Sequence, residues 1–204
     1  MYKREKLPQE LYEKMIVVTN RKLCPTFLPE QIEKLCTLHP HAVIVREKDL
    51  TEESYRNLAG QVRQVCKKQD VSCIYHNFIE TAKKDQVKEI HLPLWKLREK
   101  KESISQQFSL IGSSVHSVEE AIEAEAMGAD YLIAGHIYPT ECKKDLAPRG
   151  ISFLKEICNS VKIPIYAIGG IHLDRQQIDE VLECGAHGFC IMSELMKIDI
   201  DILQ

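Results

Sequence analysis

His136, in the run Ala134-Gly135-His136-Ile137-Tyr138-Pro139-Thr140, places a proton-carrying imidazole where a buried apolar segment, Tyr131-Leu132-Ile133-Ala134, runs out into a loop. Imidazole has the unperturbed pKa nearest neutral pH, so a histidine there could take a proton from one carbon and return it to another. It could equally do no more than line the mouth of a site. Arg46 and Lys48 stand two apart at the end of another apolar segment, so their side chains point the same way and can grip one anion. Salt bridges to the neighbouring Glu47 and Asp49 are the competing use. Gly169-Gly170-Ile171 and Met192-Ser193-Glu194 form turns after two further apolar segments. Backbone N–H groups in such turns could hold a phosphate, because glycine lets the main chain come close, although plain tight turns would look the same. Ser114, Thr140 and Lys143 add hydroxyls and a cation to the same set.

Residues so far apart in the chain need elements that carry them to one place. Eight short apolar segments recur: Met15–Val18, Ala42–Val45, Val71–Tyr75, Glu89–Leu92, Leu110–Ser113, Tyr131–Ala134, Ile165–Ile168 and Phe189–Met192. Amphipathic stretches separate them, such as Ser117 to Met127, where Val118, Ala121, Ile122 and Ala124 to Ala126 are expected to fill one face. Ser117 with Glu120 makes a capping-box signature at its start, and Gly128 ends it. Strands that alternate with helices and read as continuous apolar runs imply parallel pairing with both faces buried. Eight such units close into a compact (β/α)8 barrel; a doubly wound open sheet is the alternative. Pro8 to Lys14 should form a first helix that caps the barrel floor or packs before the first strand.

In a parallel barrel the residues after each strand share one rim. That rim would gather Arg46, Lys48, His76, Asn77, Trp95, Ser114, His116, His136, Thr140, Cys142, Lys143, Lys144, Gly170 and Ser193. It is rich in cations and hydroxyls and suits an anionic ligand. Its acids do not form the oxygen-rich cluster that Mg2+ needs, so no metal site is expected.

The 204 residues, 44% hydrophobic, suffice for one domain over 1–204. A formal charge of −3 gives no footprint for nucleic acid or an anionic membrane. The start, Met1-Tyr2-Lys3-Arg4-Glu5-Lys6, lacks an apolar core, and no later run reaches the roughly 18 apolar residues of a membrane span, which implies a cytoplasmic protein. Eight cysteines without a CxxC pair read as reduced core residues. A homo-oligomer such as a dimer stays open.

The rim segments resemble the thiamine phosphate synthase superfamily. The matching pieces are Arg46-Glu47-Lys48-Asp49-Leu50, Ser114-Val115-His116-Ser117 leading into Ala124 to Tyr131, Pro139-Thr140 to Lys143-Lys144-Asp145, Ala167 to Ile171, and Gly185-Ala186-His187-Gly188. The resemblance implies a (β/α)8 barrel and a place in thiamine thiazole metabolism. Synthases carry an Asn-Asp pair after the third strand and a Gly-Gln-x-Asp run after the fourth, and the two aspartates hold the Mg2+ of a pyrophosphate substrate. Here those segments read His76-Asn77 and Pro93-Leu94-Trp95-Lys96. Synthases also have a glutamine two residues before the arginine, where this chain has Ile44.

A further departure is positive. Gly135-His136 stands where synthases have Gly-Pro, and this is similar to the TenI-type thiazole tautomerases, which use a histidine in that loop. The resemblance implies a cofactor-independent isomerase, with His136 catalytic, that aromatises 2-(2-carboxy-4-methylthiazol-5(2H)-ylidene)ethyl phosphate to the carboxythiazole ethyl phosphate in thiamine biosynthesis. Arg46, Lys48, Ser114, Thr140, Lys143, Gly170, Met192 and Ser193 would bind this thiazole phosphate. Rival readings are a thiamine phosphate synthase, a non-catalytic thiazole-phosphate-binding regulatory barrel and, less well matched, a sugar-phosphate epimerase.

Overall fold

A computed structural model describes residues 6–141 and 146–199. Its strands are β1 (Met15–Val18), β2 (Ala42–Val45), β3 (Ser72–His76), β4 (Glu89–Pro93), β5 (Leu110–Val115), β6 (Tyr131–Gly135), β7 (Ile165–Ile168) and β8 (Gly188–Ile191). They pair in parallel in chain order, and β8 closes on β1, giving a single-domain (β/α)8 barrel. The helices are α1 (Gln9–Tyr12), α2 (Leu28–Cys36), α3 (Glu52–Lys68), α4 (Ile79–Lys84), α5 (Leu94–Ile104), α6 (Val118–Ala126), α7 (Gly150–Ser160), α8 (Arg175–Glu183) and α9 (Ser193–Lys197). The eight apolar segments become the eight strands. β3 runs one residue further than its apolar run, so His76 belongs to the strand.

The two-residue period of a strand divides each apolar run between two cores. Ile16, Val18, Ala42, Ile44, Ile74, Ile133, Tyr166 and Cys190 fill the barrel interior. The alternate residues, among them Val17, Val43, Val45, Leu92, Ala134 and Phe189, pack outward with the helices. α1 lies directly before β1 and buries Leu11 and Tyr12 in that outer core.

Two local expectations need correction. The Ser117 hydroxyl accepts from Glu120 N at 3.1 Å, but Glu120 returns its carboxylate to His116 N at 2.6 Å, so the reciprocal half of the capping box closes one residue early. The buried face of α6 consists of Ala121 and Ala124, while Ile122 is 50% exposed and Ala126 lies outside. A nine-residue helix against a barrel offers too narrow a stripe for all the apolar positions. Among the described residues every cysteine is free, and Cys36, Cys66, Cys184 and Cys190 are buried; Cys142 lies outside the described residues.

Candidate active site

A cavity of about 1470 Å³ opens at the C-terminal ends of the strands, the end at which barrel enzymes carry their chemistry. Arg46, Lys48, Ser114, His136, Thr140, Gly170, Met192 and Ser193 all line it. Lys143, with Cys142 and Lys144, lies outside the described residues. The inward phase of the strands explains the floor and wall. Ile44 points in, so Arg46 does too; Ile74 puts His76 inward, and Gly112 does the same for Ser114.

His136 is 4% exposed, and the loop beneath it is tied on both sides. Ile137 N donates to Ile168 O at 3.0 Å and Tyr138 N to Gly169 O at 2.9 Å. Arg149 N donates to His136 O at 3.0 Å, and Gly150 N to Ile137 O at 3.0 Å. The carbonyl of Gly135 accepts from His116 Nδ1 at 2.7 Å and from Arg149 Nε at 3.2 Å. The imidazole itself bonds through Nε2 to the carbonyl oxygen of Leu146, at 3.3 Å. A carbonyl can only accept, so Nε2 carries the hydrogen and Nδ1 of the neutral ring holds the lone pair. Nδ1 is therefore the basic nitrogen.

The two turns after β7 and β8 are joined to each other. Glu194, at the start of α9, accepts from Leu173 N at 2.9 Å and lies 3.2 Å from His172 Nδ1, both from the β7 turn. Gln177 holds that turn from the other side, its Nε2 donating to Gly170 O at 2.8 Å while its Oε1 accepts from His172 N at 2.8 Å. Gly170 has a φ of +69°, and a Cβ there would lie 2.4 Å from Pro139 O. Glycine is needed at this position for close packing on the His136 loop, whatever a ligand requires. A bulky residue at Gly170 would thus disturb His136 as well, a coupling the sequence does not reveal.

Glu47, buried, accepts from Thr19 Oγ1 at 2.7 Å and from the Arg21 side chain at 2.9 Å, and Asp49 pairs with Arg21 and Lys22. Arg46 and Lys48 help depress the pKa of His76 and His91, in both of which burial is the larger cause. Carboxylates are also present in the lining, as Glu120, Glu141 and Glu194. Glu120 and Glu194 are committed to the main-chain bonds above.

A divalent cation does not fit the positions where synthases carry aspartates. Lys96 Nζ donates to Asn77 O at 2.8 Å and to Asn77 Oδ1 at 3.2 Å, so an ammonium group occupies the place where an anion would be needed. Among the described residues no cluster of three or more His, Cys, Asp or Glu could hold a metal ion. No described helix is long and apolar enough to cross a membrane.

Sequence reasoning missed His91, Arg149, Gln177 and Glu194. His91 had a usable signal, since it alternates with outward Ile90 and Leu92 and so must point into the barrel. The others act through side-chain bonds across the fold that no local pattern announces.

Residues 15–195 match the family model described as thiamine monophosphate synthase. Thiamine-phosphate synthase of Pyrococcus furiosus is 33% identical over 188 residues, covering 90% of this chain and 86% of that protein. The synthase of Clostridium acetobutylicum is 33% identical over 190 residues, covering 90% and 87%. The structure of thiamine phosphate pyrophosphorylase from P. furiosus superposes with a TM-score of 0.78 at 29% identity, over 94% of this chain and 91% of that one. With the family model matching most of the chain and the barrel shared over most of both chains, this protein belongs to the thiamine monophosphate synthase family.

Proposed function

We propose that the protein is a thiazole tautomerase of thiamine biosynthesis, acting on a carboxylated, unaromatised thiazole phosphate. The observation that carries the reading is His136, buried in the cavity wall with Nε2 bonded to a carbonyl and Nδ1 left as base. Nδ1 removes the proton from the ring carbon that bears the carboxylate, and the C–H electron pair enters the conjugated system. The ring becomes aromatic when the imidazolium returns a proton to the exocyclic carbon. No atoms are gained or lost, so the step needs no co-reactant.

The turns at Gly170, Met192 and Ser193 bind the phosphate, while Arg46 and Lys48 face the carboxylate and the charge that gathers there as the proton leaves. The ligand is a small phosphorylated molecule. Turnover of the unaromatised thiazole phosphate to the carboxythiazole phosphate, lost in His136→Asn, is the expected result. Thiamine phosphate formation that rises with added Mg2+ would overturn it.

That outcome would favour a second reading, thiamine phosphate synthase, which the names of the relatives support. The Lys96–Asn77 contact weighs against it.

A further inference from the structure

Behind the cavity wall a chain of three side chains runs from β6 through β4 to β5. Tyr131 OH lies 3.1 Å from His91 Nδ1, and His91 Nε2 lies 2.8 Å from Ser114 Oγ. His91 and Ser114 line the cavity, and Tyr131, 4% exposed, stands behind them. The Tyr131 ring lies over Gly112, where a Cβ would come within 2.1 Å of its Cζ, so glycine there leaves the space that the phenol occupies.

The direction of this chain follows from counting hydrogens. The Tyr131 hydroxyl has one, and among the described residues its hydrogen-bond partner is His91 Nδ1. A buried donor almost always makes its bond, so Tyr131 donates and Nδ1 accepts. Burial supports this assignment, pushing the phenol well above its ordinary pKa and the imidazole down to about 3, so that the ring carries a single hydrogen. That hydrogen is then on Nε2, which donates to Ser114 Oγ. The hydrogen of Ser114 is left to point away from His91, into the cavity.

We propose that Tyr131 and His91 are positioning residues that fix the Ser114 hydroxyl as a donor to a ligand carboxylate. Ser114 lies near the end of β5, two strands round the ring from β7, His91 stands on β4, across from β8, and Arg46 and Lys48 line the same cavity. A hydroxyl held as donor favours an anionic oxygen, and the reverse chain would present lone pairs to it. The carboxylate also gains charge as the neighbouring carbon loses its proton, so a pre-aimed donor there assists turnover as well as binding. The identity of this ligand rests on the tautomerase reading; the direction of the chain does not.

Two measurements test it. Long-range 1H–15N NMR of the parental protein should show His91 with an unprotonated Nδ1 and a protonated Nε2 across the neutral pH range, and in Tyr131→Phe that tautomer should no longer be held. Calorimetric titration with the carboxythiazole phosphate and with the same molecule lacking the carboxylate supplies the second. Ser114→Ala should lower affinity for the carboxylated ligand roughly tenfold or more and Tyr131→Phe several-fold, with the other ligand within about twofold. A protonated Nδ1, or equal losses for both ligands, overturns the proposal. If neither ligand binds the parental protein, the carboxylate assignment falls. Should Tyr131→Phe not fold, the parental nitrogen types and Ser114→Ala decide. Absence of tautomerase turnover with a retained carboxylate preference would overturn the functional reading alone.

Discussion

Gly169 leaves vacant the space that His136 fills: a Cβ on Gly169 would lie 2.3 Å from His136 Cβ and 2.8 Å from its Cα. The β7 turn is thus the template for the position of the imidazole. At a φ of +104° an alanine would also be strained. Gly169→Ala should fold less stably and lower kcat by about tenfold or more, since a misplacement of about 1 Å can cost some hundredfold. Steady-state kinetics beside a thermal melt checks this, and an unchanged kcat would detach His136 from the turn.

His136→Asn removes the base while keeping a polar group near Leu146 O. General acid–base groups are typically worth about 10² to 10⁴ in rate, or roughly 3 to 5 kcal/mol of barrier. Turnover should fall within that range while product affinity stays nearly parental, because other residues hold the phosphate. A variant with parental kcat would reduce His136 to a lining residue, with His76 the next proton-transfer candidate among the described residues.

Chelators should leave the rate untouched, and Mg2+ should give no binding heat, because the Lys96 ammonium sits on the Asn77 amide oxygen. Replacing both, Asn77→Asp with Lys96→Asp, should create measurable Mg2+ affinity. Loss of activity in a chelator that returned with Mg2+ would contradict the assignment.

Stability should fall in acid because of the buried imidazoles. Burial, with the Lys48 and Arg46 charges nearby, pushes the His91 imidazole down to about 3, against an ordinary histidine value of 6.5. Between those values the unfolded chain binds a proton that the native state refuses. The contribution is therefore complete above the unfolded value and is lost as pH falls towards the folded one, by up to about 1.4 kcal/mol per pH unit. His76 is depressed in the same direction. Urea melts from neutral to acid pH should show a flatter decline in His91→Gln than in the parental protein, and parallel declines would refute the linkage.

The barrel was legible because each strand announces itself locally. Apolar runs such as Ala42–Val45 and Tyr131–Ala134 must be buried on both faces, and eight of them separated by helices have few ways to close. The gathering of strand-end residues round one cavity followed, since parallel strands deliver their C-termini to one rim. The first departure came at α6, where Ile122 belongs to the apolar pattern but the packing surface is too narrow to take it. What only the tertiary structure decided is how side chains from distant segments restrain one another: Gly169 against His136, Gly170 against Pro139, Glu194 and Gln177 across the β7 turn, Tyr131 through His91 to Ser114. Sequence periodicity reports which way a side chain points, because backbone geometry sets that residue by residue. It does not report which partner it meets there, since a hydrogen bond or a close contact depends on ångström-scale distances between chain segments that only the closed barrel brings together.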